Sequence, residues 1–267
     1  MKRIVLALSL AALTTCLLAV APTAAAPPRN PDAVIKTKTI DASVSIDPTL
    51  KAYPGLYPRL LAAGKRAMRE WRAAANKDYR ESRQFFREGH SYEFDRTYEK
   101  RSAIQGYVSI VRSDFNYSAG AAHPNHPVDT LLWDVKARKF INVRRFFNET
   151  ATSGPTMRTL AKVIRAAVIA AKNTRGIPPK MADDPMWLDS IKPDLTKIGG
   201  VAIAPSTESG KSAGLIIYFP PYAVGSYAEG DYIVFVPWTM YKTHLSAAGE
   251  RLFGGTRPPG DTKRHGD

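Results

Sequence analysis

The sequence contains almost no cysteine: Cys16 is the only one in 267 residues. It lies in an N-terminal segment that we expect to be removed, so the mature chain would carry no thiol. This excludes disulfide bonds, a cysteine nucleophile and cysteine metal ligands. The fold must therefore rely on an ordinary hydrophobic core, which a chain of this length with 44% apolar residues can supply.

Long apolar runs are absent except at the N-terminus. Lys2 and Arg3 precede an apolar stretch over residues 4–21, and small residues follow at positions 23–26. This order is typical of a secretory signal peptide. We expect a signal peptide over residues 1–25, a mature protein without a transmembrane span, and a periplasmic or secreted location in a bacterium. An uncleaved membrane anchor is the alternative.

Acidic residues are scarce relative to basic ones, 24 against 38, and the formal net charge is +14. An exported protein of this charge meets anionic envelope surfaces such as lipid headgroups, lipopolysaccharide or wall polymers. Nucleic acid is not an expected partner outside the cytoplasm. The alternative is that the high isoelectric point has no specific role, since it is common among some envelope proteins.

The sequence also lacks the phosphate-cradling patterns GxGxxG and GxxxxGK(S/T), and the HExxH pattern of zinc peptidases. No internal repeat is visible. These absences leave no motif for a nucleotide or for the zinc site of a peptidase. We therefore expect no cofactor, no metal site, no catalytic residue and no enzymatic activity.

Helical spacing of apolar residues predicts two amphipathic helices after a disordered leader over residues 26–34. The first runs from Pro58 to about Tyr79, and the second runs from Pro155 to Gly176, with proline tolerated in the first turn. The outer face of the first helix carries five basic residues, Lys65, Arg66, Arg69, Arg72 and Lys77. This face is either an ordinary solvated surface or a stripe that binds a membrane or a polymer.

Apolar segments of strand length surround these helices. The predicted strands are Thr37–Ile46, Ser91–Tyr98, Tyr107–Val111, Thr130–Val135, Phe140–Val143, Val201–Ala204, Leu215–Phe219 and Tyr232–Val236. This order predicts an α+β fold with a mostly antiparallel sheet packed by two main helices. We expect residues 35–150 and 151–248 to be two halves of one compact unit, and residues 249–267 to be a disordered tail.

A run of small residues near the middle of the chain contains two histidines. Residues 117–126 read YSAGAAHPNH, and small residues allow a sharp turn or the close approach of a ligand. We take His123, Asn125 and His126 as candidate ligand-binding residues. Two histidines without an acidic partner are a weak metal signal. Ser118 with His123 lacks the GxSxG pattern of a hydrolase nucleophile, so a structural loop between strands is the alternative.

A second candidate loop follows an apolar strand and a double proline. It spans residues 220–231 and carries Tyr222 and Tyr227. Tyrosine joins an apolar ring to a polar tip and is therefore suited to ligand contact at a surface. We take both tyrosines as candidate ligand-binding residues. The alternative is that they pack the loop onto the sheet.

Three segments together resemble a known family: Tyr117–Pro124, the hairpin Trp133–Phe147, and Tyr218–Gly230. They are similar to domain of unknown function 3298 with its associated 4163-type N-terminal part. This pair forms the extracytoplasmic region of RsiV-type lysozyme-sensing anti-sigma factors and of PdaC-type peptidoglycan deacetylases. The resemblance spans about residues 35–245 and implies an α+β binding module, PdaC-like in its first half and RsiV-like in its second.

The resemblance implies peptidoglycan or a wall-acting enzyme such as lysozyme as the candidate partner. The deacetylase chemistry of some members belongs to a separate domain, which no part of this chain resembles. The sequence therefore predicts a non-enzymatic binding protein of the cell envelope. Two alternatives stay open: a wall- or lipid-directed hydrolase that uses His123 with Ser118, and a protein that binds anionic membrane surfaces through the basic helix face.

Overall fold

The computed structural model describes residues 30–87 and 89–261. The expected signal peptide and the last residues of the expected tail lie outside this part of the chain. Within it, no helix is long and apolar enough to cross a bilayer.

Nine strands in the described residues form two sheets. The six-stranded sheet, in the order β1 to β6, contains β1 (Ala33–Lys36), β2 (Ile40–Ile46), β3 (Tyr92–Ile104), β4 (Tyr107–Tyr117), β5 (Val128–Asp134) and β6 (Lys139–Ile141). The three-stranded sheet contains β7 (Gly200–Ile203), β8 (Gly214–Phe219) and β9 (Tyr232–Pro237). Neighbouring strands are antiparallel except β2 and β3, which are parallel because the first long helix connects them.

Two long helices and three short ones accompany the sheets in the described part of the chain. They are α1 (Leu56–Glu81), α2 (Pro155–Thr174), α3 (Pro179–Ala182), α4 (Pro185–Leu188) and α5 (Ala247–Leu252). This confirms the predicted α+β fold, with a mostly antiparallel large sheet and two main helices. Both long helices extend close to the predicted limits, since their apolar spacing is regular throughout.

The elements stack in four layers: α1, the six-stranded sheet, the three-stranded sheet and α2. Leu60 and Met68 of α1 pack on Val44 and Phe94 of the large sheet. Val111 on the other face of this sheet packs against β8 through the face that carries Ile216 and Tyr218. The opposite face of β8, with Leu215, Ile217 and Phe219, packs on α2. Because β8 is covered on both faces, all six of its residues are buried and none is charged.

Two predicted boundaries are wrong. Residues 33 and 34, assigned to a disordered leader, belong to β1, which pairs with β2 at the sheet edge. Residues 249–261, assigned to a disordered tail, are ordered: α5 continues to Leu252, and Asp261 pairs with Arg101 at 2.6 Å. The composition of both segments is polar and rich in Gly or Pro, but backbone pairing and a buried ion pair fix them.

Candidate functional site

Both candidate loops lie at the same end of the molecule. The first loop, residues 118–127, connects β4 to β5, and the second loop, residues 220–231, connects β8 to β9. Because β4 and β8 belong to sheets packed face to face, the chain brings the two loops together although they are distant in sequence. The structure thereby joins three of the candidate residues, His123, Tyr222 and Tyr227, in one aromatic cluster.

The rings of this aromatic cluster are in direct contact. The centroids of His123 and Tyr227 are 4.4 Å apart with planes inclined by 32°. Tyr222 lies 5.4 Å from Tyr227 and 6.1 Å from His123, again between centroids. The separations are those of favourable aromatic pairs. The cluster is therefore a packed unit with an exposed surface on Tyr222, a residue that is 51% exposed.

Hydrogen bonds fix the ring of His123. Its Nδ1 lies 2.9 Å from the carbonyl oxygen of Pro124, which can only accept, so Nδ1 carries the proton. Tyr227 donates its hydroxyl to the same carbonyl at 3.1 Å. In the neutral ring Nε2 is then an acceptor, and it faces the Tyr222 hydroxyl at 3.5 Å. The weakest contact of the cluster is thus the one that faces solvent.

Tyr222 has a backbone conformation that is uncommon for a side-chain-bearing residue. Its φ angle is +68°, in the left-handed region. A non-glycine residue there costs free energy, and such strain is concentrated at functional sites. Tyr222 directly follows Pro220 and Pro221, and its ring contacts those of His123 and Tyr227. These constraints favour the observed conformation.

A buried polar group beneath the second loop fixes its shape. Glu229 accepts hydrogen bonds from the Ser226 amide at 2.9 Å and the Tyr232 hydroxyl at 2.7 Å, and it pairs with the buried Lys172 of α2 at 3.2 Å. Burial opposes the charge of Glu229, but these contacts outweigh it and hold the pKa of the carboxyl below its ordinary value. A Cβ on Gly225 would lie 2.6 Å from this carboxylate, which explains the glycine.

The same polar group perturbs Tyr232. Burial, followed by the hydrogen bond to Glu229, raises the pKa of Tyr232 to about 12. Arg175 at the end of α2 lies over this ring at 4.0 Å and donates to the carbonyl oxygens of Glu229 and Asp231, each at 2.7 Å. The second loop is thus tied to α2 at both its side chains and its backbone.

The other two candidates, Asn125 and His126, lie beside the cluster. Asn125 pairs through its backbone with Asn116, and its side chain is exposed. The ring of His126 is exposed, 6.4 Å from Tyr227 and 5.4 Å from Phe115. Both residues therefore lie at the rim. No group of three His, Cys, Asp or Glu side chains that could hold a metal ion occurs within residues 30–87 and 89–261.

An open groove of about 700 Å³ adjoins Tyr222 and was not anticipated from the sequence. It lies between β5 and the adjacent edge strand β6 on one side and the segment that leads into β7 on the other. Its wall is mostly apolar, and its lining includes Thr130, Leu132, Ile141, Leu195, Phe219 and Tyr222. In the sequence, the only hint of this groove is the glycine pair 199 and 200, which lies in its lining. Gly199 packs closely on β8, since a Cβ there would lie 2.7 Å from Ile217.

The comparisons with known proteins agree with the predicted resemblance. The model of DUF3298, described as a protein of unknown function, matches residues 203–239, a segment that contains β8, the second loop and β9. The family model does not reach residues 35–150, so the PdaC-like character of that half stays a prediction, as does the RsiV-like character of the other. No curated protein matches this chain.

Two solved structures are similar to this fold, and both are described as DUF3298 family proteins. The one from Bacteroides fragilis has a TM-score of 0.52 and 16% identity, covering 79% of this chain and 88% of its own. The one from Pseudomonas aeruginosa has a TM-score of 0.51 and 17% identity, covering 81% of this chain and 87% of its own. At this identity the likeness concerns the fold alone. The predicted resemblance to the family is confirmed.

Proposed function

We propose that this protein is an exported, non-enzymatic binding protein of the bacterial cell envelope whose ligand is the glycan of peptidoglycan. The observation that carries the proposal is the convergence of the two loops. His123, Tyr222 and Tyr227 form one aromatic cluster, exposed at Tyr222, beside an open groove. The N-terminal pattern of the sequence supports export.

The chemistry of the aromatic cluster suits a sugar. A sugar ring offers C–H groups on one face and hydroxyls at its edge, while tyrosine offers an apolar ring and a polar tip. The groove volume lies within the range of about 300–1,000 Å³ that is typical of ligand sites. A glycan strand would lie across Tyr222 and enter the groove between the two sheets.

A hydrolase activity and lysozyme as the partner are both less well supported than peptidoglycan binding. In the described part of the chain Ser118 and His123 share no hydrogen bond, and Nδ1 of His123 is occupied by a backbone carbonyl rather than a carboxylate. This arrangement gives no reason to favour a hydrolase. Lysozyme is a weaker candidate than peptidoglycan, because a basic enzyme and a chain of net charge +14 repel each other at long range.

The proposal is tested by co-sedimentation of the purified mature protein with peptidoglycan sacculi. We expect the wild type to sediment with sacculi and Tyr222→Ala to lose roughly fivefold in affinity, because about 1 kcal/mol is typical of one aromatic contact. Met240→Ala is the matched control. Met240 has a similar exposure, 54% against 51% for Tyr222, but it follows the far end of β9.

Folding of each variant is checked by circular dichroism. If the folded wild type stays in the supernatant, the proposed ligand is wrong. Equal losses for Tyr222→Ala and Met240→Ala would refute the aromatic cluster as the binding surface. A parallel pull-down with lysozyme distinguishes recognition of the wall from recognition of a wall-acting enzyme.

A further inference from the structure

A second cleft, of about 260 Å³, lies on the opposite side of the six-stranded sheet, beneath α1. The helix contributes two small residues to its lining, Ala63 and Ala67. Larger side chains at these positions would fill the space between the helix and the strands. Four arginines line this space: Arg59 and Arg66 from α1, Arg96 from β3 and Arg112 from β4.

One of the four arginines, Arg96, already has a carboxylate partner. Arg96 donates to both carboxylate oxygens of Asp114, at 2.7 and 2.6 Å, and both side chains are nearly buried. Such a bidentate pair uses the Nε and one Nη2 hydrogen of the guanidinium group. The positive charge of Arg96 is therefore compensated by Asp114, and Arg96 contributes little net charge to the cleft.

Arg112 differs from Arg96. Its Nη2 lies 3.3 Å from Asp129 at ion-pair distance, but its Nε is buried and has no hydrogen-bond partner among the described residues. A buried N–H of a charged group is costly when it is left unpaired. In native proteins such groups are paired with protein, ordered water or a bound ion. A hydrogen-bond acceptor, either ordered water or a bound ion, is therefore expected at the unpartnered Nε.

The charges around the cleft favour an anion as this ligand. Arg66 makes no hydrogen bond or ion pair among the described residues, and the Arg59 guanidinium only lies over the Trp133 ring at 5.6 Å. The carboxylates that oppose them are Glu70 in the lining and Asp129 on Arg112. Arg59 and Arg66 thus provide two cations without an acidic partner of their own.

We propose that this cleft binds a phosphate group. Arg112 Nε donates a hydrogen bond to a phosphate oxygen, and the positive charges of Arg59 and Arg66 attract the anion. The planar guanidinium fork matches the geometry of a phosphate oxyanion. The cleft is larger than the phosphate itself, and Leu131 with Phe140 forms an apolar wall for the carbon atoms of an ester.

Isothermal titration of the purified protein with inorganic phosphate, at low ionic strength, tests the proposal. Arg112→Lys keeps the charge but removes the Nε donor and the fork, so we expect phosphate affinity to fall roughly tenfold or more. Arg69→Gln is the matched control. Arg69 is exposed on the same helix but does not line the cleft, so its loss should change affinity less than about twofold.

Absence of phosphate binding by the wild type would overturn the proposal. Equal losses for Arg112→Lys and Arg69→Gln would also overturn it, because they would indicate diffuse attraction to a basic surface. If Arg112→Lys does not fold, Arg66→Gln carries the test. Arg66 has no hydrogen bond or ion pair to lose among the described residues, and its substitution should still weaken phosphate binding by roughly fivefold.

Vesicle flotation then identifies the source of the phosphate group. Binding to phosphatidylglycerol vesicles and not to phosphatidylcholine vesicles, with loss on Arg112→Lys and competition by inorganic phosphate, supports the site with a lipid headgroup as its ligand. Phosphate binding without flotation supports the site with a free or polymer-borne phosphate ester as its ligand.

Discussion

At the scale of single residues, the least expected feature is a lysine ammonium in the protein interior. Lys172 is fully buried, and its partner Glu229 is nearly so. Removing one member of a buried ion pair leaves the other charge uncompensated, which costs far more than the intact pair contributes. The ion pair therefore links α2 to the second loop.

We predict that Lys172→Met lowers the free energy of unfolding by about 3 kcal/mol, because Glu229 loses its cation. The double variant Lys172→Met with Glu229→Gln should recover part of this loss, since no buried charge remains. Urea denaturation measures both. Lys162→Met, at an exposed position of the same helix, is the control and should change stability by less than about 0.5 kcal/mol. A similar loss in both single variants would contradict the role of the buried pair.

At the scale of elements, the packing of α1 on β2 depends on a glycine in the middle of a long helix. Gly64 is buried, and a Cβ added there would lie 2.7 Å from Cγ1 of Val44. Helix propensity disfavours glycine by about 1 kcal/mol relative to alanine. The glycine is retained because close contact between helix and sheet outweighs propensity.

We predict that Gly64→Ala destabilises the protein by about 1–2 kcal/mol, although alanine is the better helix former, because α1 must move away from β2. Ala62→Gly tests propensity alone at an exposed position of the same helix, and it should cost about 1 kcal/mol. Thermal and urea unfolding followed by circular dichroism measure both. Stabilisation by Gly64→Ala would show that the helix has room to accept the methyl group.

At the scale of the whole molecule, several carboxylates are held in their charged form by hydrogen bonds and ion pairs. Asp194 accepts from Thr152 at 2.6 Å and from Thr196, and these hydrogen bonds lower its pKa to about 2. A backbone hydrogen bond from Ala137, followed by the contact with Arg145, holds the pKa of Asp134 below its ordinary value. Glu229 behaves in the same way.

We predict that the melting temperature falls as the pH is lowered from about 4.5 towards 2. A carboxyl whose folded pKa is depressed contributes stability that is present above its unfolded pKa and lost as pH falls through the folded value. For Asp194 this window extends from its ordinary pKa of 3.8 down to about 2.

Asp194→Asn should therefore flatten the lower part of the pH profile measured by differential scanning calorimetry. Asp183→Asn replaces an exposed carboxylate that makes no hydrogen bond among the described residues, and the profile should keep its shape. A wild-type melting temperature that is constant down to pH 2 would contradict the prediction.

The sequence by itself determined the elements whose signals are local. The helix after Pro155 and the strand Leu215–Phe219 were predicted because periodicity and apolar runs are read within a few residues. The same local reading failed at β1 and after residue 249. There the composition is polar or interrupted by proline, and order comes from pairing with β2 and from the contact between Asp261 and Arg101.

The candidate residues were also visible in the sequence, since histidines in a run of small residues and tyrosines after a double proline are local patterns. Only the tertiary structure decided that they form one site. His123 and Tyr222 are 99 positions apart, and they meet because β4 and β8 lie in sheets packed face to face. The groove and the arginine cleft likewise exist only between elements, since each is lined by segments that the folded layers bring together.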